Sequence, residues 1–137
     1  MSIITRDIDW DDDEVHIIVS DYFKMLEDEI RNKKYNKTKH RISLLPLLRD
    51  RSEGSIEFKH QNISAILMNL KAPYIKGYKP LQNYQKLLEN KVVDYINQHK
   101  APLENQFKQF FCVGLIANFY ILQSKCMLHK TIVGVYL

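Results

Sequence analysis

Apolar side chains at Val15, Ile18, Val19, Tyr22, Leu26 and Ile30 recur at intervals of three and four, directly after the acidic run Asp11-Asp12-Asp13-Glu14. That spacing puts them on one face of a helix about five turns long, and the face has to be buried against something. The carboxylates gather at the positive end of the helix dipole, and Arg31, Lys33 and Lys34 follow at its negative end, so charge and periodicity agree. Trp10, just ahead, suits a hydrophobic staple. A chain of 137 residues is one domain's worth, able to bury roughly two thirds of the surface its unfolded form exposes.

Further helices follow the same logic. Asn36 or Thr38 caps a second helix that carries Ile42, Leu45 and Leu48 on one face. Pro46 falls inside it, which predicts two short pieces such as 37–44 and 46–50. Gly54 reads as a turn, after which Ile63, Ile66, Leu67 and Leu70 form a stripe capped by Asn62 or Ser55. Residues 71–83, KAPYIKGYKPLQN, hold two prolines, a glycine, two tyrosines and three lysines without usable periodicity, and read as a loop. Tyr84, Leu87, Leu88, Val92, Tyr95 and Ile96 restore helical spacing through residue 97, and Pro102 ends it. The fold class is mostly α: a small helical domain of four or five helices with a Pro/Gly/Tyr loop.

Residues 1–100 form the helical module, and 101–137 a hydrophobic tail of different character. The tail has an uncharged run of 16 residues from Gln109 to Ser124, short of the roughly 20 that a bilayer span needs, so a buried helix is expected there and not a membrane span. Cys112 and Cys126 stand in this stretch with no CxxC spacing, which argues against a disulfide scaffold or a cysteine metal site. The N-terminus has neither a basic nor an apolar signal region, so the cytoplasm is the expected compartment.

Charge is unevenly divided. Residues 1–30 carry two basic against ten acidic side chains, and residues 31–100 carry 15 against five. A block of that sign attracts phosphate polyanions. Alternatively, the acidic first helix folds over the basic segment and cancels it. Within the block, Lys37, Lys39, His40, Arg41, Arg49, Arg51, Lys59, Gln61, Asn62, Lys71, Lys76 and Lys79 alternate with Tyr74 and Tyr78. Arginine and amide side chains read guanine and adenine, and lysines neutralise phosphates. A helix-turn-helix-like centre would put Gln61 and Asn62 at the mouth of a reading helix. The candidate nucleic-acid-binding residues are Arg41, Arg51, Lys59, His60, Gln61, Asn62, Tyr78 and Lys79.

Catalytic patterns are thin. Glu57-Phe58-Lys59 has the E-x-K form of restriction-type nucleases, in which a divalent metal needs a second carboxylate, and Asp50 is the only close one. His16, His40, His60, His99 and His129 match no metal or nuclease spacing, and no Ser or Cys occupies a glycine-flanked elbow. No catalytic residue, metal or cofactor is therefore expected.

Four phrases in order, DYFKMLEDEI, YNKTKHR, RSEGSIEFKHQNIS and PYIKGYKPLQNYQKLL, resemble an N-terminal module of uncharacterised bacterial proteins, and the similarity covers about residues 10–98. Many of those look like restriction-type or HNH nucleases, or carry other defence-associated C-terminal domains. By the resemblance, Arg51, Glu53, Lys59, His60, Gln61 and Asn62 lie in the module's most recognisable phrase, and Tyr78, Lys79 and Pro80 in its second. It implies a DNA-binding or targeting module, with a nuclease partner or a missing C-terminal nuclease domain. The runner-up is a protein-interaction module that positions such a nuclease, and a metal-dependent nuclease using Glu57 and Lys59 comes third. The tail departs from the family, which suggests a truncated or frameshifted ending prone to self-association.

Overall fold

The computed structural model describes residues 9–100 together with Leu103 and Asn105. The tail readings, including Cys112, Cys126 and His129, lie outside the described residues.

Helix α1, Asp12–Ile30, begins at the expected place. Asp11 accepts the backbone N–H of Glu14, and the Glu14 carboxylate accepts that of Asp11, a reciprocal cap that satisfies two orphan donors. Val15, Ile18, Val19, Tyr22, Met25, Leu26 and Ile30 are all buried, as is Trp10. The helix closes where Asn32 takes a left-handed conformation with φ 57° and Lys33 donates back to the Asp28 carbonyl.

Helix α2, Lys37–Leu44, starts on an Asn36 cap that accepts from Lys39 N. A 3₁₀ turn, Leu45–Leu47, carries Pro46 and ends the helical path, the division that the proline's missing donor requires.

Helix α3, Glu53–Asn69, starts earlier than the apolar stripe suggested. Its cap is Ser52, which accepts from Ser55 N, so neither Ser55 nor Asn62 caps it, and Gly54 sits in the first turn of the helix. Gln61 and Asn62 consequently lie more than two turns inside α3, not at its mouth. Residues 70–85 run without regular structure, and α4, Lys86–Gln98, completes the set. Among the described residues there are four α-helices and no strand.

Contacts fix the directions. Glu14 meets Arg51, Asp21 meets His60 and Tyr22 meets Ser64, so α1 and α3 run parallel. Trp10 O accepts from Gln85, Asp12 pairs with Lys91, and Phe23 stacks on Tyr95, so α4 runs the same way. Only α2 runs opposite to α1, bringing His40 to Asp21 and Arg49 to Asp11. Parallel neighbours need a long return, and residues 70–85 supply it: Leu81 N donates to Gln61 O, and Asn62 Nδ2 donates to Leu81 O at 2.7 Å.

Of the core expected from spacing, Val15, Ile18, Tyr22, Ile63, Leu67, Leu88 and Val92 are buried, and Leu45 packs partly exposed against them. Tyr22 joins three elements at the centre. Its hydroxyl accepts Ile75 N–H at 2.8 Å and shares a 2.7 Å hydrogen bond with Ser64 on α3. Burial raises its pKa, so the phenol stays protonated and both bonds persist. Tyr22→Phe keeps the ring but strands a buried amide and hydroxyl. Chemical denaturation is expected to show a loss of about 1–3 kcal/mol, with Ser64→Ala losing less.

Candidate functional site

The candidate residues divide sharply by burial. Arg51, in the loop entering α3, faces inward: Nε and Nη2 grip Glu14 at 2.9 and 2.8 Å, Nη2 also donates to Asp9 O, and the guanidinium lies 4.6 Å over the Trp10 ring. The Arg51 guanidinium beside Glu14 holds that carboxyl below the usual range. Arg41, on α2, faces α3, within 3.6 Å of Glu53 and 3.5 Å of Glu57. Lys59 donates to Gln85 Oε1 and lies over Trp10; burial, then the nearby Arg51 charge, lowers its pKa.

His60 and Tyr78 are fully buried, and Asn62 is nearly so. Asn62 spends its amide on the backbone of residues 81 and 83, holding the return segment to α3. Gln61 is half-buried and contributes its carbonyl to the same attachment. These side chains do not share one surface: His60, Asn62 and Tyr78 are buried, and Arg51 already holds a carboxylate. Of the eight, Lys79 alone is exposed.

Helical geometry also separates Glu57 from Lys59. Residues two apart share a face on a strand but not on a helix, and here one turns to Arg41 while the other turns to Gln85. Among the described residues no group of three or more His, Cys, Asp or Glu side chains is placed to hold a metal ion.

His60 belongs to a polar cluster that sequence spacing did not assemble. Asp21 Oδ1 lies 2.6 Å from His40 Nδ1, and Asp21 Oδ2 lies 3.4 Å from His60 Nε2. The His60 ring packs 4.8 Å from Tyr78 and 6.0 Å from Tyr22. Burial pushes the Asp21 pKa up, but its polar contacts with His60 and His40 outweigh it and leave the carboxyl below its ordinary value. Burial lowers the His60 pKa, with Asp21 opposing. One signal was available: Ile56, His60, Ile63 and Leu67 follow helical spacing once α3 is allowed to start at residue 53.

Surface charge sorts by end. Near the start of α1, Arg49 and Lys91 pair with Asp11 and Asp12, as Arg51 does with Glu14. At the other end, Lys33, Lys34, Lys39, Lys71, Lys76 and Lys79 are exposed and make no ion pair among the described residues. They are gathered by the bond from Lys37 Nζ to Gly77 O at 2.8 Å and by Glu29, which accepts from Tyr35 Oη and from Lys76 N. No family model, curated protein or solved structure matches the chain.

The Arg51–Glu14 pair has side chains only 8% and 6% exposed, so removing one partner strands a buried charge. Arg51→Ala is expected to cost about 3–5 kcal/mol in urea unfolding. Arg49→Ala, whose partner is exposed, is expected to cost under about 1 kcal/mol.

Proposed function

We propose that this chain is a non-catalytic module that docks on the phosphate backbone of duplex DNA through the lysine-bearing end of the bundle, targeting a restriction- or defence-type nuclease partner. The observation that carries the reading is the segregation of unpaired cations. Arg49, Arg51 and Lys91 are neutralised by the acidic start of α1, whereas Lys33, Lys34, Lys39, Lys76 and Lys79 keep their charge. Lysines without partners attract phosphates and release their condensed counterions. They do so without reading sequence, since phosphate contacts position and base contacts specify. The nuclease partner rests on the family resemblance of residues 10–98 alone.

A protein-interaction module is the second reading, and a separate observation favours it. Ile42, Leu47 and Phe58 are large apolar side chains 53%, 61% and 60% exposed, on α2, the 3₁₀ turn and α3. Apolar contacts of that kind are nearly indifferent to salt, so ionic strength separates the two readings. No described helix is long and apolar enough to cross a membrane.

Anisotropy of a labelled duplex measures the first reading directly. If Lys33, Lys34, Lys39, Lys76 and Lys79 each neutralise one phosphate, log K falls against log salt with a slope of about −4.5. The triple variant Lys33→Ala, Lys39→Ala and Lys79→Ala is expected to bind at least about tenfold more weakly, with a slope shallower by about 2.7. Lys86→Ala, on α4 and paired with Glu89, serves as the control. A flat salt response, or a triple variant that binds like the parent, contradicts DNA docking at this end.

The non-catalytic part has its own check. Incubation with magnesium or manganese is expected to leave plasmid DNA intact. Metal-dependent cleavage that disappears in Glu57→Ala would restore the nuclease reading.

A further inference from the structure

Five buried side-chain polar atoms have no hydrogen-bond partner among the described residues, and all five belong to one cluster: Asp21 Oδ2, Arg41 Nε, His60 Nδ1, His60 Nε2 and Tyr78 Oη. They come from four different parts of the fold, namely α1, α2, α3 and the 70–85 return segment. Native interiors seldom leave such groups unmade, and a concentration of them marks stored instability. We propose that His60 and its neighbours form an acid-sensitive latch, in which α2 and residues 70–85 close over His60 while it is neutral, and protonation of His60 releases them.

The charges facing His60 set the direction. From α1 comes Asp21, 3.4 Å from Nε2 and already bound to His40 at 2.6 Å, together with the protonated phenol of Tyr22. From α2 come Arg41, whose charge disfavours a cation at His60, and His40, which already holds the Asp21 carboxylate. Glu57, one turn back on α3, lies 3.5 Å from Arg41 and is taken up by it. From the return segment comes Tyr78, whose ring packs at a tilt against the imidazole and carries Lys37, 4.5 Å from its centroid. A proton on His60 therefore creates a fully buried cation near Arg41, with one carboxylate, that of Asp21, shared between two histidines.

The relief is local because the parts are unequally held. Helix α2 buries only Leu44, and residues 70–85, though they bury Ala72, Ile75 and Tyr78, have no helical hydrogen-bond ladder of their own, whereas α1 and α3 bury continuous faces. Swinging α2 or the return segment outward hydrates His60 and separates it from Arg41 and Tyr78 while the α1–α3 contact survives. Burial depresses the His60 pKa in the closed form, and an opened His60 regains a value near 6.5. The open form thus binds the proton more tightly, and opening is favoured as pH falls below 6.5, up to tenfold per pH unit until the closed-form pKa is reached. The latch does not depend on what the lysines bind.

Hydrogen–deuterium exchange on the full chain, resolved by segment and corrected for intrinsic rates, tests it at pH 7.5 and 5.5. Amides in residues 37–48 and 70–85 are expected to open about tenfold more often at the lower pH, with residues 15–30 and 56–67 unchanged. His60→Gln should abolish this pH dependence and His40→Gln should retain it. Uniform opening across all helices, no change at all, or the same response in His60→Gln overturns the latch. Should His60→Gln fail to fold, the imidazole resonances of the parent decide. Assignment of the acid transition to His60, with its protonation tracking the local opening, supports the latch. A transition belonging to His40 refutes it.

Discussion

Three helices that point the same way place three sets of unpaired N–H groups at one end of a bundle and three sets of unpaired carbonyls at the other. Here α1, α3 and α4 do this, and the alignment shapes nearly everything else. The acids of the first turn of α1 sit where the N–H groups and the positive dipole ends collect, capped and paired with Arg49, Arg51 and Lys91. The lysines that follow α1 and α3 sit where the carbonyls collect. A charge imbalance along the chain becomes an uneven one across the molecule, with exposed lysines at the end of α1 that also carries Glu27, Asp28 and Glu29.

Parallel packing has a second consequence. Chain that returns from the end of α3 to the start of α4 must lie along the bundle, and its backbone groups need partners. Tyr22, Asn62 and the Gln61 carbonyl provide them. The polar phrase around residue 60 is therefore spent largely inside the molecule: Arg51 anchors α1, His60 meets Asp21, and Asn62 binds the return segment. Side chains that suit DNA recognition by type serve as internal connectors by position.

Much of the fold was legible in the sequence. The capped acidic start and apolar stripe of α1, the break at Pro46 and the loop through residues 71–83 all follow from local chemistry. The start of α3 was not, because Glu53, Gly54 and Ser55 look like a turn when taken without Ser52, and the two opening turns alternate charged and apolar residues. Nor could spacing reveal what His60 meets inside the fold. Its partner Asp21 lies on another helix, and the parallel register of α1 and α3 that joins them is a tertiary fact. For the candidate site, charge composition marked residues 31–100 as basic but could not tell which of their cations are paired. Arg51 and Lys59 count equally with Lys39 and Lys79 in a tally, and only the fold tells paired cations from unpaired ones.

Lysine reactivity toward an amine-acylating reagent, read residue by residue with mass spectrometry in the presence and absence of duplex DNA, tests the central claim most directly. The account predicts that DNA protects Lys33, Lys34, Lys39, Lys76 and Lys79 together, while Lys86 on α4 reacts unchanged and Lys59 stays slow in both states. Protection concentrated at Lys59 and Lys91, or no protection at concentrations that saturate the protein, would contradict it.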